Sequence, residues 1–219
     1  MDPFNILILA GGQSTRMGSP KHFLTVPATG APLYQHLVNV IHVAFPGTGS
    51  IYISVAGSST LDRIPHEEQS LSTVEADGRR VELVPLPDQT MHSIGPAAGL
   101  ITAHRHDPIA TWLVVACDFP LLEPEALHRL KEAFEEPVTC FVNKDGFSEP
   151  LLAIWSPRAL QSLSNNVESG RLGPNYTVKR LSGKLIIPED DSWILNTNTP
   201  AEWESARLRI KNPQSIGGV

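Results

Sequence analysis

A glycine-rich, cationic segment follows the first apolar run of the chain, Ile6 to Ala10. It has the sequence GGQSTRMGSPK and includes Arg16 and Lys21. Glycine has no Cβ, so the backbone N–H groups of such a loop can turn toward an anion, and the two cations add fixed positive charge. We interpret residues 11–21 as a triphosphate-binding loop. The alternative is a plain glycine-rich turn with two surface cations.

Two common nucleotide-binding motifs do not fit this loop. The Walker A pattern GxxxxGK(S/T) fails because five residues separate Gly12 from Gly18 and no lysine follows Gly18 directly. The dinucleotide pattern GxGxxG fails because Gly11 and Gly12 are adjacent. The loop is therefore of another type.

A second candidate is Asp118, which follows the apolar run Trp112 to Ala116 and precedes Phe119 and Pro120. A carboxylate at the carboxyl end of a buried strand is well placed to hold Mg²⁺ against phosphate oxygens, since hard cations take oxygen ligands. The alternative role is to cap the helix expected near Glu123, but that helix begins too far along the chain. We predict that Asp118 is a metal ligand.

Two further segments carry groups suited to the same chemistry. The segment from Gly95 to Gly99 opens a predicted helix with small residues, so a ligand can approach closely and the helix N-terminus favours negative charge, although packing alone also explains it. Asn196 and Asn198 lie just before Pro200. Their amide oxygens can complete a magnesium shell or hold an acceptor phosphate, and helix capping is the compatible alternative.

The elements that must position these residues alternate along the chain. Continuous apolar runs, as expected for a parallel sheet covered on both faces, predict strands at 6–10, 51–56, 81–86, 112–116, 138–142, 151–155 and 184–187. Helical periodicity predicts helices near 33–44, 96–106, 123–134, 157–163 and 200–210. This pattern is typical of a doubly wound α/β sheet, whose ligands bind beyond the carboxyl ends of the strands.

The remaining stretches are polar. We expect residues 57–80 to form an exposed insertion with a short helix near 60–64. We expect one domain over residues 1–210 and a disordered tail over 211–219.

Composition limits the class of protein. The 219 residues contain 17 Lys and Arg against 23 Asp and Glu, a net charge of −6 that argues against a nucleic-acid binder. The two cysteines, Cys117 and Cys140, have no CxxC spacing, so we expect buried, reduced thiols rather than zinc ligands. The N-terminal segment resembles neither a signal peptide nor a membrane span, so we expect a cytoplasmic protein without a membrane partner.

The motifs together resemble the nucleotidyltransferase superfamily, and within it the molybdenum cofactor guanylyltransferase (MobA-like) family. The first loop matches the family signature in LAGGxSxRMGxxK, Cys117 to Pro120 resembles its Asp-x-Pro motif, and Gly95 to Leu100 resembles its Gly-Pro-Leu-Ala-Gly element. Asn196 to Pro200 resembles its Asn-x-Asn-Thr-Pro element. The resemblance covers roughly residues 6–203 and implies a Rossmann-like, three-layer α/β nucleotidyltransferase fold with a mostly parallel central sheet.

The resemblance also implies roles for individual residues. Catalytic roles fall to Arg16, Lys21 and Asp118, and the metal, Mg²⁺, to Asp118. Asp88 lies seven residues before Gly95, where the family places an aspartate that recognises guanine; without the resemblance, an exposed turn residue is the simpler interpretation. Asn196 and Asn198 would face the acceptor or the metal shell. The nucleotide-binding set it implies is Leu9, Ala10, Gly11, Gly12, Ser14, Gly18, Lys21, Asp88, Gly95 and Asp118.

The resemblance thus implies an enzyme that transfers GMP from GTP to a molybdopterin-type acceptor bearing molybdenum and releases pyrophosphate. We expect a monomer or a weak homo-oligomer. Two alternatives remain: a transferase of the same superfamily that acts on a sugar phosphate or an alcohol phosphate, and a catalytically silent nucleotide-binding module.

Overall fold

The computed structural model describes residues 4–10, 21–55, 72–76, 79–87 and 94–211. Within these ranges the chain forms one eight-stranded sheet. The strands are β1 (Asn5–Leu9), β2 (Ser50–Val55), β3 (Ser72–Ala76), β4 (Arg79–Pro87), β5 (Trp112–Ala116), β6 (Val138–Val142), β7 (Ser148–Trp155) and β8 (Lys184–Ile186).

Six α-helices lie within the same ranges. They are α1 (Leu33–Ala44), α2 (Ala97–His106), α3 (Pro124–Ala133), α4 (Pro157–Glu168), α5 (Pro174–Arg180) and α6 (Pro200–Lys211). Two short 3₁₀ helices, Lys21–Phe23 and Asp191–Ile194, precede α1 and α6. Proline opens α3, α4, α5 and α6, a position where its missing N–H has no helical partner to lose.

The strand order is β3-β4-β2-β1-β5-β7-β6-β8. Strands β4, β2, β1 and β5 are mutually parallel, β8 is parallel to β6, and β3 and β7 run antiparallel to their neighbours. The predicted α/β class and mostly parallel, three-layer architecture are confirmed. The chain leaves β1 toward β2 on one side and returns to β5 on the other, so the topological switch point lies between β1 and β5.

Helices cover both faces of this sheet. Helix α1 packs with α3, and α2 packs with α4. Because the crossovers through α1 and α2 lead in opposite directions and such crossovers are right-handed, these two helices lie on opposite faces. The central strands are consequently buried on both sides: every residue of β5 is buried, and Leu7, Ile8, Val114 and Val115 are fully so.

The structure differs from the sequence expectations at the hairpin of β3 and β4 and in helices α4 and α5. The expected insertion over 57–80 contains strand β3 and the start of β4, which pair antiparallel from Ser72 with Leu83 to Ala76 with Arg79. Strand β3 lies at the edge of the sheet and has the sequence STVEA, which contains no continuous apolar run and so gave no strand signal. The helix expected at 60–64 lies outside the described residues. Helix α4 extends to Glu168, and the seven-residue α5, too short for a periodic signal, was not predicted.

The C-terminal boundary stays a prediction. Helix α6 includes Lys211, and residues 212–219 lie outside the described part of the chain. In that part, no helix combines the length and the apolar character required to cross a membrane.

Candidate active site

The predicted site residues that the structure describes meet at the carboxyl end of the sheet, at the switch point. Leu9, the last residue of β1, pairs with Ala116 of β5, and its carbonyl accepts a hydrogen bond from the N–H of Cys117 at 3.0 Å. Asp118, the next residue, therefore lies just beyond the adjacent ends of β1 and β5. Parallel strands bring their carboxyl ends to one edge, which is why residues remote in sequence lie together here.

The side chain of Lys21 contacts both Asp118 and Asn198. Its Nζ lies 2.7 Å from Oδ1 of Asp118 and donates to Oδ1 of Asn198 at 2.8 Å. The lysine side chain is 15% exposed and that of Asp118 27%, so the pair is partly desolvated yet still open to a ligand. A partly buried ion pair is screened less by solvent and salt than a surface one. The first loop, the end of β5 and the segment before α6 thus supply one cluster.

Thr197 holds the segment before α6 against the end of β5. Its N–H donates to the backbone carbonyl of Asp118 at 2.9 Å, and its Oγ1 lies 3.3 Å from the same oxygen. Thr197 is fully buried. The two asparagines flank it, so the position of Asn196 and Asn198 relative to Asp118 is fixed by this backbone contact. Thr197 was not predicted from the sequence, since only the fold brings it to Asp118.

Asn196 contributes an amide oxygen that lies buried close to this cluster. Its Oδ1 is shielded from solvent and has no hydrogen-bond partner among the described residues. A buried polar atom in that state costs free energy, and a bound ion or an ordered water would offset this cost. The described residues contain no group of three or more His, Cys, Asp or Glu side chains able to hold a metal ion.

A second carboxyl group lies near Asp118. Glu149 is the second residue of β7, the strand that pairs antiparallel with β5 as far as Val115 and Leu152, and it lies close enough to Asp118 for the two charges to interact. Glu149 is half-buried, and burial, followed by the negative charge of Asp118, raises its pKa from 4.5 to about 6. These two residues are 31 positions apart in sequence, and the fold brings them together.

The thiol of Cys117, the residue before Asp118, lies in surroundings that favour its protonated form. Cys117 is buried, and burial raises the pKa of its thiol far above the ordinary range; the charge of Asp118 raises it further and that of Lys21 opposes this. Cys140 is also buried and free, with its pKa raised by burial to about 12. The expectation that both cysteines are buried is confirmed.

The N-terminal part of α2 lies close to β1 and β2. A Cβ added to Gly99 would lie 2.5 Å from Cδ2 of Leu9 and 2.8 Å from Oγ of Ser54, so only glycine permits this approach. Gly95 has φ +59°, in the left-handed region that favours glycine, in the turn before the helix. The N–H of Ala10 donates to the carbonyl of Ser54 at 2.8 Å. Leu9, Ala10 and Gly95 thus lie at the same end of the sheet as Asp118.

Several predicted residues lie outside the described part of the chain. They are Gly11, Gly12, Ser14, Arg16, Gly18 and Asp88. Strand β4 ends at Pro87, which pairs with Val55 at the end of β2, so the chain enters the segment of Asp88 from the same edge of the sheet. The roles of these residues remain predictions.

The Rossmann-like sheet is shared with a solved structure. Molybdopterin-guanine dinucleotide biosynthesis protein A from Archaeoglobus fulgidus aligns with a TM-score of 0.69 at 19% identity, covering 94% of this chain and 98% of that one. At this identity the likeness establishes the fold.

Two curated proteins are similar to this chain in sequence. A probable molybdenum cofactor guanylyltransferase from Flavobacterium johnsoniae is 28% identical over 217 residues, 96% of this chain and 100% of that protein. A molybdenum cofactor biosynthesis bifunctional protein from Synechocystis is 26% identical over 204 residues, 92% of this chain and 53% of that protein. The chain therefore spans about half the length of the Synechocystis protein.

The topology of the sheet and these relatives together define the chain as a nucleotidyltransferase. Residues 6–181 match the family model described as the MobA-like NTP transferase domain. The chain belongs to that family.

Proposed function

We propose that this nucleotidyltransferase transfers GMP from GTP to the phosphate of a molybdopterin-type acceptor and releases pyrophosphate. The observation that carries the proposal is the contact of Lys21 with both Asp118 and Asn198 at the switch point, 2.7 Å and 2.8 Å from its Nζ. It joins one cation, one carboxylate and one amide oxygen at the edge of the sheet where α/β proteins bind nucleotides. The names of the relatives from Flavobacterium and Synechocystis support the choice of acceptor.

The donor set fits Mg²⁺. Asp118 offers a carboxylate that is still accessible, Asn198 an amide oxygen, and Asn196 an oxygen without a partner among the described residues. Magnesium is usually bound by one or two carboxylates, substrate phosphates and several waters rather than by a complete cage of side chains, which this set matches. Bound there, the ion would neutralise charge on the phosphates. Asp118 would hold it, with the two asparagines nearby.

The chain's own residues would act by position and charge. An oxygen of the acceptor phosphate attacks the α-phosphorus of GTP, the bond from that phosphorus to the bridging oxygen of the β-phosphate breaks, and pyrophosphate leaves. The attacking phosphate is already anionic, so no strong general base is required. Lys21, together with Arg16 and the amides of the first loop, would neutralise the charge of the triphosphate and hold it in line with the acceptor.

Selection of guanine would fall to Asp88. One carboxylate can accept hydrogen bonds from N1–H and the amino group of guanine together, and adenine offers no such pair of donors. The end of β4 at Pro87 supports this assignment, because Asp88 then follows a strand of the same parallel set as β1 and β5. A cytoplasmic location, and a monomer or weak homo-oligomer, stay predictions from the sequence.

Pyrophosphate release measured with each of four nucleoside triphosphates tests the proposal. The assay is run with and without Mg²⁺ and with three acceptors: molybdenum cofactor, a sugar phosphate and an alcohol phosphate. We expect turnover only with GTP, Mg²⁺ and the molybdenum cofactor. Turnover with another acceptor would replace the proposed substrate but keep the enzyme class. Tight GTP binding without turnover on any acceptor would favour the silent nucleotide-binding module.

A further inference from the structure

Glu202, in the first turn of α6, contacts the segment that carries Asn198. Its Oε2 accepts from the backbone N–H of Asn198 at 2.6 Å and from that of Thr199 at 2.8 Å. The N–H of Glu202 in turn lies 3.3 Å from Oγ1 of Thr199. The Thr199 and Glu202 bonds form a capping box, the reciprocal arrangement that begins many helices. The sequence Thr-x-x-Glu was a visible signal for it.

The bond to Asn198 goes beyond helix capping. A capping box needs only the N–H of the capping residue itself, Thr199, whereas here the carboxylate also holds the residue before it. Asn198 is the residue whose Oδ1 accepts from Nζ of Lys21. The hydrogen bonds from Asn198 and Thr199, with the nearby charge of Lys21, lower the pKa of Glu202, so the carboxylate is ionised at neutral pH.

The segment is therefore held at two points. Thr197 bonds the backbone of Asp118, and Glu202 bonds the backbone of Asn198, one residue further on. Asn198 itself is exposed, so burial does not fix its side chain. The direction of its amide oxygen toward Lys21 therefore depends on how Thr197 and Glu202 hold the backbone of this segment.

We propose that Glu202 is a positioning residue for the reaction: through the backbone of Asn198 it fixes the amide oxygen that orients the ammonium group of Lys21. This rests on the proposed function in one respect, the role of Lys21 toward the triphosphate. Glu202 has no contact with substrate in this proposal and acts only through Asn198. Its loss should therefore change kcat for nucleotide transfer more than KM for the acceptor.

The test compares the two halves of the capping box. Glu202→Ala removes the bonds to Asn198 and Thr199, whereas Thr199→Ala removes only the return bond to the helix and leaves Glu202 on Asn198. Both should lower the melting temperature by a few degrees, the usual effect of losing a cap. Well below both melting temperatures, we expect kcat to fall roughly 10-fold in Glu202→Ala, less in Glu202→Gln, and under about 2-fold in Thr199→Ala. Equal kcat losses in the Ala variants would mean that Glu202 only caps the helix.

A double-mutant cycle identifies the route. If Glu202 acts through Asn198, Glu202→Ala should add less than about 2-fold to the loss in an Asn198→Ala background. Additive losses would overturn the proposal.

A substrate-free measurement separates this inference from the proposed function. Amide hydrogen exchange at Asn198 and Thr199 should accelerate roughly 10-fold in Glu202→Ala, and Asn198 should stay protected in Thr199→Ala. Unchanged exchange at Asn198 would overturn the positioning role whatever the enzyme does. Accelerated exchange in a chain that turns over no nucleotide would instead remove the proposed function and, with it, any catalytic meaning of the contact.

Discussion

The Nζ of Lys21 and the Oδ1 of Asp118 lie 2.7 Å apart although 97 positions separate the two residues in sequence. Lys21 begins the 3₁₀ helix Lys21–Phe23, the next described element after β1, and Asp118 follows the end of β5. When a ligand binds, the ammonium group of Lys21 can contact a phosphate and the carboxylate of Asp118 can contact a cation in place of each other.

Asp118→Asn should lower kcat by about 10²-fold or more, because a neutral amide holds a divalent cation far less well than a carboxylate. The fold should persist, since the backbone carbonyl of Asp118 still accepts from Thr197 and the asparagine oxygen can still accept from Lys21. Turnover is measured across a magnesium titration, with thermal unfolding as the control. Near-normal turnover at low Mg²⁺ would exclude Asp118 as the metal ligand.

Lys21→Ala should weaken transition-state stabilisation by about 2 to 4 kcal/mol, chiefly in kcat, if the contact strengthens as charge develops on the phosphates. Lys184→Ala is the matched control. Lys184 pairs with Glu135 at 3.2 Å on the edge strand β8, away from the switch point, and its loss should leave kcat unchanged. A change confined to KM for the acceptor would contradict a role of Lys21 on the triphosphate.

Asp88→Asn should reduce the preference for GTP over ATP about 10- to 100-fold in kcat/KM, the effect of losing a charge-assisted hydrogen bond of ~1.5 to 3 kcal/mol. The asparagine keeps the size of the side chain but presents an amino group to a base that offers donors at the same place. Steady-state kinetics with four nucleotides measure it. An unchanged GTP-to-ATP ratio would remove Asp88 from the base site.

Glu149→Gln should stabilise the fold at high pH. The pKa of Glu149 is raised from 4.5 to about 6, so its ionisation costs folding free energy that is absent below pH 4.5, grows between these values and is complete above pH 6. After allowance for its solvent exposure, the gain at about pH 8 should be about 1 kcal/mol.

Thermal unfolding with a chelator at about pH 5 and about pH 8 checks the Glu149 prediction, with the exposed Glu168→Gln as the control. The melting temperature of Glu149→Gln should exceed that of the wild type by a larger amount at the higher pH. A difference that is the same at both pH values would mean that the charge of Glu149 costs the fold nothing. Addition of Mg²⁺ should reduce this difference in melting temperature, because a cation beside Asp118 offsets the negative charge of Glu149.

Gly99→Ala should destabilise the protein by about 1 to 3 kcal/mol, although alanine is the better helix former by ~1 kcal/mol. The added methyl group would lie 2.5 Å from Leu9 and 2.8 Å from Ser54, which must shift. Thermal unfolding measures the loss. A gain in stability would show that α2 can move away from the sheet without cost.

Much of the fold was determined by the sequence itself. Continuous apolar runs such as Ile6 to Ala10 and Trp112 to Ala116 predict buried parallel strands, because only a sheet covered on both faces hides such runs from water. All seven predicted strands overlap observed ones, and helices α1, α2, α3 and α6 lie within about two residues of their predicted bounds. The signature of the first loop and the motif around Asp118 indicated the class of enzyme through their resemblance to a known family, and their residue types suit phosphate and metal.

The contacts within the site depend on the three-dimensional arrangement of the strands. The contact of Lys21 with Asp118 and Asn198, the bond of Thr197 to Asp118 and the approach of Glu149 all join segments distant in sequence. Strand order fixes these neighbours, and a local pattern carries no information about which strand ends lie side by side. The raised pKa of Glu149 likewise exists only when burial and Asp118 act on it together in the folded chain.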